Sequence, residues 1–320
     1  MIKEFKTVLS EWLDKNNLTR SELIAHLQLY DYESFKGLDA ITLSRWLNGK
    51  TTPHTHKQIL VCKGLNEDLI QFIKTIDIGR IKSSSTKSKI VSEFIKLLDY
   101  INPTLSYKKV CSKAKTHVDI FDYQQHLDIF GDFYRNIPSI KKLTEDVYSL
   151  GDEVTYPCIR IKNNEDEMIG HWVGIEPLEK ISSLSSFISL SKEEASEGYL
   201  INVAYYQNSQ HFFQLISIAI CFYLLAPRFK GKRTAYLLLS GYSVYEVTKM
   251  AFDAEDVKYY PPVDKKTRLG IYLVKIDITK IIANPIILPL VQEKLNCLED
   301  CKENCNLCNL TWFIGKLSFC

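Results

Sequence analysis

Apolar positions in residues 1–78 fall at helical spacing throughout. Phe5, Leu9 and the pair Trp12/Leu13 recur on one face, which predicts a first amphipathic helix. Asn16 and Asn17 end it. Thr19, with Glu22 three residues later, carries a capping-box signature for a second helix, whose inner face is Leu23, Ile24 and Leu27. Residues 29–37 (LYDYESFKG) read as a short irregular stretch. Asp39 then reads as the N-cap of a third helix running to about Asn48. Gly49 suits its C-terminal cap, and Pro53 blocks continuation. His54–Leu65 and Glu67–Ile76 predict two more helices.

Residues 79–90 (GRIKSSSTKSKI) are polar and basic, the best linker in the chain. Residues 91–149 read as helical again, through Phe94, Leu97 and Leu98 and then Phe121, Leu127, Phe130 and Phe133. From Thr155 the period changes to two. Tyr156–Ile161 and Ile169–Ile175 alternate, and Asn163-Asn164-Glu165-Asp166 between them marks a hairpin turn. Beyond it the pattern predicts strand Tyr199–Tyr206, helix 210–226, strand Thr234–Leu239, helix Ser243–Phe252 and strand Gly270–Ile278. The expected fold is multidomain, α and α+β. An all-α bundle (1–78) is followed by a basic linker and helical connector (79–149). An α+β domain with a mixed sheet (150–290) and a Cys-rich tail (291–320) complete it. No internal repeat is visible.

Composition narrows the class. At 320 residues the chain is long enough for two or three domains. Apolar residues at 46% and charged residues at 24% exclude a disordered or collagen-like chain. The N-terminal residues show no secretory signal. The longest apolar run, Phe212–Ala226, is interrupted by Gln214 and Ser217. It is shorter than the roughly 18 residues that suggest a membrane span, so a buried core helix is expected and no membrane partner. Cys62, Cys111, Cys158 and Cys221 sit among apolar neighbours, as reduced thiols of a cytoplasmic protein would. The net charge of +2 hides an asymmetry. Residues 1–118 carry 19 Lys+Arg against 12 Asp+Glu, and the remainder carries 21 against 26. A basic front half predicts a polyanionic partner.

The strongest signal is Gly37-Leu38-Asp39-Ala40-Ile41-Thr42-Leu43-Ser44-Arg45-Trp46-Leu47-Asn48-Gly49-Lys50-Thr51-Thr52-Pro53. It describes a glycine turn, a capped two-turn helix, a glycine stop and a proline. Leu43, Trp46 and Leu47 share the face that must be buried. Ala40, Ile41, Ser44, Arg45 and Asn48 share the other, whose width and chemistry suit a major groove. The stretch resembles the second half of a lambda-repressor/Cro-type (XRE family) helix-turn-helix, and Thr19-Arg20-Ser21-Glu22-Leu23 resembles the start of that family's first motif helix. The resemblance covers residues 1 to about 75. It departs from the family in residues 28–36, an insertion of about nine between the motif helices. It implies double-stranded DNA as partner, usually bound by a homodimer. Ala40, Ile41 and Arg45 are the implied base readers, and Arg20, Thr42, Ser44, Asn48 and Lys50 the implied phosphate contacts. The alternative is a helical bundle with no DNA role. His54 and His56 stand two apart with no further ligand nearby, so they are read as solvent-facing or phosphate-proximal. The stretch Arg80–Lys115, with nine Lys+Arg against Glu93 and Asp99, is either a solvated linker or extra backbone contact.

The order of elements in residues 150–285 resembles the GNAT-type N-acetyltransferase fold. That family holds the pyrophosphate of acetyl-CoA on a glycine-rich turn at a helix N-terminus. The corresponding stretch, from Val203 to Pro227, has no glycine, and a Cβ at each position would crowd the phosphates. Tyr259 or Tyr260 would be the family's late tyrosine acid, or simply packing. His171 on its alternating strand would pair with an acid such as Glu176, or be structural. No Walker-type loop, nucleophile elbow or HExxH is present.

Cys297, Cys301, Cys305 and Cys308 close the chain's chemistry. On one straight helix they span about 16 Å, too far for one zinc with roughly 2.3 Å bonds. A stripe of packed thiols is expected, with zinc or an iron–sulfur centre as the alternative. The expected function is a DNA-binding transcription regulator whose degenerate acetyltransferase-like domain serves dimerisation or a small-molecule or protein effector. No catalytic residue and no cofactor are assigned. The alternatives are an acyl-CoA-dependent N-acyltransferase tethered to DNA, and an antitoxin-like or phage-interaction protein.

Overall fold

The computed structural model describes residues 3–80, 90, 93–99, 114–184, 186–263 and 270–299. The chain divides into two compact units, one of residues 1–83 with 282–296, the other of 84–281 with 297–320.

The first unit is helical. Its helices are α1 (Phe5–Lys15), α2 (Arg20–Tyr30), α3 (Tyr32–Phe35), α4 (Ala40–Leu47), α5 (Thr55–Gly64) and α6 (Leu69–Thr75). Local chemistry places their ends. The Thr19 hydroxyl accepts the Glu22 N–H, and the Glu22 carboxylate accepts the Thr19 N–H in return. Asp39 accepts the Thr42 N–H at 2.7 Å, and Gly49 stops α4 at φ 67°. Leu9, Leu23, Leu27, Phe35, Leu43, Ile59 and Ile73 are fully buried. Phe5, Trp12, Trp46 and Phe72 pack edge-on or tilted, with ring centroids 5.0–6.4 Å apart.

Residues 28–36, expected as an irregular insertion, are ordered helix. They extend α2 to Tyr30 and then form α3, a single turn. Asp31 caps that turn by accepting the Ser34 N–H at 3.0 Å, and the turn exists to bury Phe35. The same unit takes in residues 282–296, most of the helix Ile287–Glu299. Its Gln292 side chain donates to the Ile73 carbonyl at 2.7 Å and the Ile76 carbonyl at 2.9 Å, just where α6 ends.

The second unit is α+β around one mixed sheet. Its elements are α7 (93–99), β1 (Lys115–Phe121), α8 (Tyr123–Arg135), α9 (Lys141–Ser149), β2 (Tyr156–Lys162), β3 (Met168–Ile175), α10 (Leu178–Ser182), α11 (Lys192–Glu197), β4 (Gly198–Ile201), β5 (Tyr205–Tyr206), α12 (Ser209–Leu225), β6 (Thr234–Ser240), α13 (Tyr242–Phe252), β7 (Glu255–Tyr260), β8 (Ile271–Asp277) and α14 (Ile278–Ile282). The strand order is β1-β2-β3-β4-β6-β8-β7, with the short β5 paired to β3. Every pairing is antiparallel except β4 with β6, which run parallel from Gly198↔Thr234 to Ile201↔Leu237. Past that register β4 leaves β6 and the chain turns into α12.

Two expectations are corrected here. Lys115–Phe121 is a strand, not part of a helical connector. Seven registered pairs with β2, from Lys115↔Lys162 to Phe121↔Tyr156, override its weak alternation. The strand expected over Tyr199–Tyr206 breaks at residues 202–204 into β4 and β5. The strand β7 was not expected at all; its inner residues are half-exposed and its sequence alternates little.

Alternation sorts β2 between two faces. Tyr156 and Cys158 pack in the core that α8 and α9 cover, with Phe130, Tyr134, Leu143 and Val147. Pro157 and Ile159 face the other way, toward Ile216, Ala219 and Ile220 of α12. Among the described residues no helix is long and apolar enough to cross a membrane.

Candidate functional site

In the first unit, α4 presents one face to solvent. Leu43 and Trp46 are buried and hold the helix down. Ala40, Ile41, Arg45, Asn48 and Lys50 are exposed and Thr42 and Ser44 half-buried. Ile41 is 65% exposed. Arg20, at the start of α2, is also exposed. Arg20, Arg45 and Lys50 form no ion pair or side-chain hydrogen bond with another described residue, so their donors remain available. Asn48 donates to the Ser44 hydroxyl at 3.3 Å. The Thr42 N–H that Asp39 accepts holds the Asp39 carboxyl below its usual range, which keeps that cap charged and α4's first turn fixed. His54 is exposed just before α5, and His56 is half-buried.

In the second unit, the site the resemblance implies is the stretch from Val203 to the N-terminus of α12. The sequence carries a local signal for that helix start: Asn208 accepts the His211 N–H at 2.8 Å. A second cap was not legible. Asp99 of α7 accepts the Ser209 N–H at 2.7 Å and the Ser209 hydroxyl at 3.0 Å. Phe94, one turn earlier and 1% exposed, packs against Phe212 (5.1 Å) and Phe252 (5.9 Å). A carboxylate and an amide oxygen therefore already hold two of the first-turn donors, those of Ser209 and His211, that a pyrophosphate would need. With no glycine to admit the phosphates, these residues do not fit coenzyme A in that family's manner.

Beneath α12 lie two adjoining cavities of about 60 Å³ each, which share Trp172, Ile201, Ile216 and Ile281. The walls are almost wholly apolar. Asn202, Ser240 and Thr248 supply polar groups at the end where the β4–β6 register stops.

The remaining candidates are placed as follows. His171 is buried against Phe130 (4.9 Å) and Phe133 (4.7 Å). Glu176, its expected partner, instead pairs with Arg228 at 2.5 Å. Burial holds His171 down at about 3. Tyr260 is buried and its hydroxyl donates to the Ser186 carbonyl at 3.3 Å. Tyr259 lies against Tyr272, ring centroids 4.6 Å apart. Packing thus accounts for Tyr260, whereas Tyr259 is 47% exposed. Cys297 is half-buried; Cys301, Cys305 and Cys308 lie outside the described residues. Among the described residues no three His, Cys, Asp or Glu side chains cluster as metal ligands.

No protein-family model and no curated protein matches the chain. Solved structures similar to it include a chimera of the spermidine N-acetyltransferase SpeG from Vibrio cholerae with hSSAT (TM-score 0.31, 8% identity, 52% of this chain and 96% of that one). Another is a GNAT-family protein from Desulfovibrio desulfuricans (TM-score 0.29, 11% identity, 52% and 99%). A third is the CoA-dependent acyl-homoserine lactone synthase MesI (TM-score 0.29, 8% identity, 56% and 95%). The likeness is to a GNAT-like sheet domain over about half of the chain. At these scores it carries no argument about activity.

Proposed function

We propose that this chain is a sequence-specific DNA-binding regulator that reads its operator with α4. The observation that carries the reading is the outward face of that helix. It is capped at its start by Asp39 and stopped by Gly49, and it shows solvent an exposed Ile41 and an unpaired Arg45 side by side. A major groove satisfies both. A thymine methyl accepts Ile41 or Ala40, and the O6/N7 edge of guanine takes Arg45 in bidentate fashion. Arg20, Thr42, Ser44, Asn48 and Lys50 surround them as phosphate contacts, which set register rather than sequence. Two copies on a pseudo-palindrome supply the second half-site, and the second unit serves self-association or ligand response. Selection of bound sequences from a random duplex library by the full chain tests this. Enrichment of one motif is expected; equal recovery of all sequences would overturn the reading.

A second reading is an acyl-CoA-dependent N-acyltransferase. It is favoured by the cavity under α12, lined by residues 202–204 and 237–240 where the β4–β6 register ends. Against it stands the Asp99 carboxylate on the α12 N-terminus. Thiol release from acetyl-CoA with a broad amine panel separates the two readings. Background rates are expected; turnover lost in Tyr259→Phe would make the chain an enzyme.

A further inference from the structure

The space beneath α12 has the form of a ligand site. Two cavities, each about 60 Å³, share four lining residues and so lie end to end along the helix. Each has room for roughly five water-sized groups, so together they take a chain of roughly eight to ten carbons. Trp172, Ile201 and Ile216 form the middle. Ala219, Ile220 and Phe229 line the far end, which offers no polar side chain except the Tyr199 and Tyr223 hydroxyls. Tyr223 already donates to the Lys232 carbonyl at 2.7 Å.

The near end is different. Asn202 uses its side-chain oxygen on the Val203 N–H at 2.8 Å, which leaves its amide nitrogen as a donor. The Ser240 and Thr248 hydroxyls make no hydrogen bond to a described residue and line the same end. Asn202 and Thr248 are 7% and 5% exposed, and both line the cavity's end. A ligand head that both accepts and donates would pair with them. Phe94 packs against Phe212 and Phe252, both of which line this end. No basic side chain is among the residues lining this end, which disfavours a negatively charged head.

We propose that this channel binds a neutral amphiphile: one unbranched alkyl or acyl chain of medium length with an amide or alcohol head, the head on Asn202, Ser240 and Thr248. The ligand is distinct from an acyl-coenzyme A, whose phosphates would meet the Asp99 carboxylate at the N-terminus of α12. The proposal does not depend on the first unit binding DNA.

The test uses the full chain and titrates n-alkyl amides and n-alkanols of four to fourteen carbons, following tryptophan fluorescence and heat. One saturable site per chain is expected, tightest near eight to ten carbons. Decanoate and decanoyl-CoA should bind at least tenfold more weakly than decanamide. Ala219→Leu narrows the far end and should shorten the best chain by about two carbons, with the circular dichroism of the parent. Thr248→Val should weaken decanamide severalfold and leave the length optimum unchanged. Absence of saturable binding by every amide and alkanol would overturn the proposal. So would a length optimum unmoved by Ala219→Leu in folded protein, or decanoyl-CoA binding as tightly as decanamide.

Discussion

The Asp99 carboxylate accepts both the backbone N–H and the hydroxyl of Ser209, 110 residues later in the chain. This one residue ties α7 to α12 and sits at the positive end of that helix. Asp99→Ala is expected to cost about 0.5–2 kcal/mol, the range for loss of an N-terminal cap. Asp99→Asn keeps an acceptor but not the charge, and should cost less. Chemical denaturation of both variants checks this ordering; equal stability of Asp99→Ala and the parent would show that solvent caps Ser209 as well.

Arg45→Ala should weaken binding to the selected DNA by about 1–3 kcal/mol and relax preference at one base pair. Lys50→Ala should weaken all sequences alike and reduce the salt slope by about one. Competition assays at several salt concentrations distinguish the two patterns. A base preference that survives Arg45→Ala removes it from the reading face.

Acid should destabilise the second unit before its carboxylates titrate. His126 is fully buried, neither ring nitrogen has a hydrogen-bond partner among the described residues, and burial lowers its pKa to about 3. His171, buried in the same aromatic cluster, is held at about 3 for the same reason. Both are neutral in the folded chain while the unfolded chain takes up protons below about 6.5. Stability is therefore complete above that pH and falls as the pH drops toward 3. The slope is about 1.4 kcal/mol per pH unit for each histidine. Urea midpoints at pH 7.5, 6 and 5 should decline, and His126→Phe should flatten the decline. An unchanged slope in that variant would mean His126 reaches solvent.

Gln292→Met should destabilise the first unit by about 1–3 kcal/mol, because it leaves the Ile73 and Ile76 carbonyls without their donor. Hydrogen exchange of α6 amides, with far-ultraviolet circular dichroism as the folding control, reads the loss. Protection equal to the parent would show that water replaces the amide.

What could be read along the chain was what neighbouring residues settle among themselves. Thr19 and Glu22 close their capping box within four residues, Asp39 caps α4 through Thr42, and Gly49 adopts its positive φ at once. The hairpin of β2 and β3 and the apolar α12 are local in the same sense, since periodicity is a property of one segment. The face of α4 was legible for that reason, and the structure exposes most of the residues it singled out. Other features depend on partners far along the chain. Lys115–Phe121 becomes a strand because β2 supplies seven registered partners. Tyr199–Tyr206 breaks because β4 follows β6 for four residues and then departs from it. Phe35 makes an ordered turn of an expected loop by reaching the core. The Asp99 cap, the Gln292 brace and the channel under α12 join residues separated by tens to hundreds of positions. Loop closure over such distances leaves no periodic trace in composition or spacing, so packing alone brought them together.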